Sequence, residues 1–155
     1  MTKSKRLGAW IFIFFTIALF LWFKFSNLNF RFSDGNTYLY MARIIAQGFW
    51  PYKNFVLVDP PFLVLFLAGL RLIFGNHLMV YNAVPFILEA GTAFTLFLLL
   101  RLWKNPLAYL APLFYLFSFT VLSTSDYLTG VLLVVFTPAL AIYLYEKKYV
   151  WISGI

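Results

Sequence analysis

The sequence predicts an all-α membrane protein, a polytopic helical bundle whose long first external loop holds helices of its own. Two observations lead there. The 155-residue chain is 63% hydrophobic and only 11% charged, and a soluble domain of that size has too little interior to hide so much apolar surface. The apolar residues also fall in continuous runs separated by short charged breaks, the pattern of helices that satisfy their own backbone in lipid. The net charge of +7 then belongs to loops and headgroups rather than to a nucleic-acid site. With no cysteine and His77 as the one histidine, disulfides, thiolate zinc sites and histidine metal clusters are excluded.

The first run, Leu7–Phe23, follows Met-Thr-Lys-Ser-Lys-Arg. It is longer than a signal-peptide core and is followed by Lys24-Phe25 rather than by small residues, so it reads as a retained anchor. Further runs cover Pro61–Phe74, Leu78–Leu100, Leu107–Leu122 and Tyr127–Tyr145, and another begins at Tyr149. Spanning takes about 20 residues. The run at 61–74 is shorter and carries Arg71, which suits a helix lying at the interface. That choice also places Lys3, Lys5, Arg6, Arg101, Lys104, Lys147 and Lys148 together on the cytoplasmic side, as the positive-inside rule prefers. Spans are therefore expected at about 7–25, 78–100, 107–122 and 127–145, with the start of another at 149–155. Asp34 and Asp126 then face the outside. The ending YEKKYVWISGI reads as a loop and the first turns of a further span, so the chain is expected to be the N-terminal part of a larger multi-span protein.

The external loop, about 26–77, is expected to hold interfacial helices at about 35–47 and 61–74. In the first, Asn36, Tyr40, Arg43 and Gln47 fall on one stripe and Tyr38, Met41, Ala42 and Ile45 on another. Ser33 or Asp34 can cap its start and Gly48 can end it. Trp50-Pro51-Tyr52 makes a turn with aromatics at headgroup depth.

Few residues can carry chemistry. Asp34 and Asp126 are the catalytic candidates. Each also has a plainer reading as a helix cap, Asp126 for a helix starting near Tyr127. Two carboxylates on one face can split acid and base roles or hold a divalent cation, Mg or Mn. Asp59, before Pro60-Pro61, has a turn as its default role. Glu89 lies mid-span, where an ionisable group faces a bundle interior or a cavity. Arg31, Arg43, Lys53 and Arg71 can meet a lipid phosphate or simply snorkel to headgroups. No Walker loop, G-x-G-x-x-G, H-E-x-x-H or G-x-S-x-G occurs.

In order along the chain stand Asp34-Gly35, Tyr38, the small-residue stretch Ala42–Ala46, Gly48-Phe49-Trp50-Pro51-Tyr52, Asp59-Pro60-Pro61, Phe74-Gly75 and Asp126. This series resembles the N-terminal part of the GT-C class of integral-membrane glycosyltransferases, in the protein-mannosyltransferase and aminoarabinose-transferase branch. Each motif is loose; their order and spacing carry the likeness, over most of the chain. Gly35 stands where the family has a second acid, and Asp59 where many members carry His. The resemblance implies transfer of a sugar from a polyprenyl-phosphate donor to a protein, glycan or lipid acceptor outside the cytoplasm. It implies that Asp34 is the catalytic base or acceptor-binding carboxylate and that Asp126 organises the site or a metal. The candidate substrate-binding residues are Tyr38, Arg43, Tyr52, Asp59 and Arg71. The competing expectations are a transporter or flippase segment using Asp34, Glu89 and Asp126 as a path, and a membrane scaffold in which every carboxylate is a cap.

Overall fold

The computed structural model describes residues 3–27, 35–57, 61–126, 128–129, 131–149, 152 and 154. Among these residues the chain is helical and has no strand beyond an isolated bridge between Pro51 and Phe55. The elements are α1 (Lys3–Ser26), α2 (Gly35–Ala46), α3 (Phe62–Phe74), α4 (Leu78–Leu102), a 3₁₀ turn (Ala108–Leu110), α5 (Ala111–Leu116), α6 (Phe119–Thr124) and α7 (Val131–Glu146). Two helices are long and apolar enough to cross a membrane, within Leu7–Ser26 of α1 and over Leu78–Leu102 of α4. The window in α4 is 61% buried inside the protein and that in α1 only 22%. Helix α4 is thus the central post, and α1 leans on it.

Aromatic contacts fix the direction of each helix. Near the start of α1, Trp10 meets Phe97 of α4 edge-on at 5.1 Å, and the Arg101 guanidinium lies 5.2 Å from the Trp10 ring centre. Near the end of α1, Phe25 meets Phe86 at 4.8 Å. The two helices therefore run antiparallel, and the segment between them leaves and returns at one end. Residues 108–124 run alongside α1 in its own direction: Phe12 meets Tyr109 at 6.1 Å and Phe20 meets Phe117 at 6.3 Å.

Local chemistry sets the ends. Helix α2 closes in a Schellman motif. Gly48 takes φ +95°, its N–H donates to Ile45 O, and the Phe49 N–H donates to Ile44 O. Pro61 sits at the cap of α3, where its missing N–H costs nothing, and Gly75 (φ +66°) ends that helix. The run 107–122 is divided rather than one helix. At the break Ser118 donates to Tyr115 O at 2.8 Å and accepts from Val121 N–H at 3.3 Å. Its hydroxyl thus serves the end of one helix and the start of the next, so the chain can bend without orphaning backbone groups. Helix α7 begins at Val131, beyond the start expected near Tyr127.

Small residues on α4 admit its neighbours. A Cβ at Gly91 would come 3.0 Å from the Phe136 ring of α7. One core cluster joins α2, α3 and the start of α4 through Ala42, Leu67, Tyr81 and Val84, and it also takes in Leu128. The segment after Asp126 is thereby tied to the α2–α3 pair. A second cluster (Phe20, Phe86, Ala93, Leu116, Val121) seals α1 and α4 against α5 and α6.

Candidate functional site

Three polar groupings interrupt this apolar packing. The first starts from Lys24, in the last turn of α1. Its side chain is 4% exposed. It donates to Leu122 O at 2.7 Å and to Asp126 Oδ1 at 2.9 Å. An ammonium taken out of water needs such partners, and a carboxylate plus a carbonyl in the last turn of α6 provide them. Asp126, expected as a cap or a metal ligand, is here the counter-ion of a buried lysine. Its side chain keeps 25% of its surface exposed.

The second grouping is on the central helix. Glu89 is 6% exposed, and its Oε2 accepts the Tyr115 hydroxyl at 2.6 Å. The charge of Lys24 also acts on it. Beside this pair opens a cavity of about 470 Å³. Ser118, Thr120, Val121 and Thr124 line it on one side, and Thr129 with Val131, Leu132 and Val135 of α7 on the other.

The third grouping is basic. Arg43 of α2 and Arg71 of α3 line one cleft of about 360 Å³, with Tyr40, Asn76 and Tyr81. Among the described residues no carboxylate lines it. Two guanidiniums on one cleft can hold an anion with several oxygens. The Tyr81 hydroxyl donates to Gly75 O and so fastens the α3–α4 turn beside the cleft. Exposed apolar residues flank it, Leu72, Ile73 and Phe74 on α3 and Leu78 and Met79 on α4.

Among the expected substrate-binding residues, Arg43 and Arg71 come together. Tyr38 instead packs its ring on the α2–α3 core, and Tyr52 is exposed on the turn after α2 with φ +63°. Asp34 and Asp59 lie outside the described residues. The metal expectation rests on Asp34 with Asp126. Among the described residues no three His, Cys, Asp or Glu side chains gather as a metal site. Asp126 is paired with the Lys24 ammonium, and Asp34, its expected partner in holding an ion, lies outside the described residues.

Sequence reasoning missed Lys24, Tyr115 and the cleft residues Tyr40, Asn76 and Tyr81 as members of these groupings. A signal existed for Lys24. A lysine closing an apolar helix needs a counter-ion, and the chain has only five acids. Tyr40 was on the stripe of Arg43, three residues apart on one helix face. Tyr115 carried no signal, because its partner is 26 residues away. Comparison of the chain with protein-family models, with curated proteins and with solved structures gave no match.

Proposed function

We propose that the chain is the N-terminal membrane region of a glycosyltransferase that takes a sugar from a polyprenyl-phosphate donor at the extracytoplasmic face. The observation that carries this reading is the cleft shared by Arg43 and Arg71. It suits the phosphate of a lipid donor: two cations for the headgroup, and exposed apolar side chains beside them for the lipid. The antiparallel run of α1 and α4 supports an external segment that begins and ends on one face. Arg101 and Lys104 then join Lys3, Lys5 and Arg6 on the cytoplasmic side. The core contact of Leu128 supports Asp126 being near the same end as the cleft.

In this reading Asp34 is the base. The acceptor hydroxyl oxygen bonds to the anomeric carbon as its proton passes to the Asp34 carboxylate. The bond from that carbon to the phosphate oxygen breaks, and its electron pair leaves with the lipid phosphate. Arg43 and Arg71 stabilise the charge that gathers there. Asp126 is a positioned acid held by Lys24. Asp34→Asn tests the scheme: cells carrying the variant gene are expected to lose a polyprenyl-phosphate-dependent glycan while the chain stays at normal level in their membranes. An unchanged glycan profile would sink the reading.

A specific observation also favours transport. Glu89 lines a cavity near the middle of α4, where a substrate path through a bundle would need a polar station. Glu89→Gln separates the two: it should stop transport yet leave a lipid-phosphate transferase able to bind its donor.

A further inference from the structure

Glu89 takes no part in the transfer scheme, yet its burial is costly. Moving a carboxylate out of water costs several kcal/mol unless partners replace the solvent. Among the described residues one hydroxyl, that of Tyr115, hydrogen-bonds to it. The nearby ammonium gives its hydrogen bonds elsewhere: Lys24 bonds to Leu122 O and to Asp126 Oδ1. Lys24 is therefore hydrogen-bonded to Asp126 and reaches Glu89 only through space. Among the described residues no further cation meets Glu89, which leaves its charge to a proton or to an added cation.

The cavity decides between them. A proton needs no room, whereas the space beside Glu89 is about 470 Å³, within the range of pockets that bury a small organic molecule. Ser118, Thr120 and Thr124 stand on the α6 side and Thr129, Val131 and Val135 on the α7 side, and the surface they present is almost wholly apolar. Those two valines are 65% and 43% exposed, so the mouth is greasy. Among the described residues no lysine or arginine lines the space, so an incoming cation meets no like charge on that wall. A metal ion fits poorly, since one carboxylate and neutral hydroxyls fall short of the oxygen donors that calcium or magnesium demands. We propose that the Glu89 cavity binds an organic ammonium ion with an apolar body, its nitrogen on the Glu89 carboxylate and its body against α7.

The test uses the whole chain in lipid nanodiscs and reads Glu89 directly. Dicyclohexylcarbodiimide is an apolar reagent that modifies carboxyl groups facing apolar space, and peptide mass spectrometry identifies the residue modified. Expected is modification of Glu89, its loss when n-octylammonium is present, and its persistence with n-octanol at the same membrane concentration. Mapping the wild-type peptide needs no variant to fold; Glu89→Gln, where it folds, should lose the adduct. Equal protection by the alcohol would show apolar filling without recognition of the charge and would overturn the proposal. Failure of the reagent to modify Glu89 even at acidic pH, where the carboxyl holds the proton the reaction needs, would overturn it too, by showing that the space is closed to ligands of this size.

Discussion

The Lys24 ammonium lies 2.9 Å from Asp126 Oδ1, joining residues 102 positions apart, and the same nitrogen donates to Leu122 O. One side chain at the end of α1 thus holds both the end of α6 and the segment that leads into α7. Breaking a buried pair from one side leaves an uncompensated charge, at a cost of about 3–5 kcal/mol. Asp126 keeps a quarter of its surface exposed, so water relieves part of that cost. Lys24→Met is expected to destabilise the chain by about 3 kcal/mol, at the low end of that range. Lys24→Met with Asp126→Leu should recover more than half of the loss. Reversible unfolding in bicelles measures both. If the double variant is no more stable than the single one, the pair is not what holds these helices.

Arg43 and Arg71 are expected to act together on a lipid phosphate. A charge-assisted hydrogen bond contributes about 1.5–3 kcal/mol, so each alanine substitution should weaken binding of a polyprenyl phosphate by about tenfold or more. Arg71→Lys should restore only part of it, because lysine cannot present a planar fork. Photocrosslinking with a reactive polyprenyl phosphate in nanodiscs gives the reading, with Lys53→Ala on the turn after α2 as the comparison. Equal losses from all three substitutions would mean general attraction to headgroups rather than a site.

Gly91 sets the approach of α7. Replacing glycine by alanine inside a helix gains about 1 kcal/mol. Here the new methyl would meet the Phe136 ring at 3.0 Å, and overpacking costs about 1–3 kcal/mol. The two terms nearly cancel, because Phe136 is only half-buried and can yield. Gly91→Ala is expected to shift stability by less than about 1 kcal/mol, and Gly91→Leu to lower it by more than about 2 kcal/mol. Thermal unfolding of the two variants side by side decides it.

Much of the helix pattern is legible in the residues themselves. The apolar runs from Leu7 and from Leu78 are long, and they become the two longest helices, the second with Pro85 inside it. Gly48 announces the end of α2 because its αL conformation suits glycine. The division at Ser118 was hidden, since an apolar run of that length reads equally well as one helix. Only the position of the serine hydroxyl between Tyr115 O and Val121 N–H reveals the break. The site was legible in kind more than in pairing. Arg43 and Arg71 stood out as cations in an apolar loop. That they share a cleft depends on the packing of α2 on α3, which no local spacing encodes. Lys24 with Asp126, and Glu89 with Tyr115, are tertiary pairs of the same sort.

The proposed transferase site requires that the Arg43–Arg71 cleft and Asp126 share the extracytoplasmic face. Because the chain has no cysteine, single cysteines at the exposed positions Asn36 and Thr124 report on it cleanly. Intact cells are treated with a membrane-impermeant thiol reagent, and Lys104→Cys serves as the cytoplasmic reference. The account predicts that positions 36 and 124 both label from outside and that position 104 labels only after the membrane is opened. Labelling of only one of the first two would put the cleft and Asp126 on opposite faces and contradict the account.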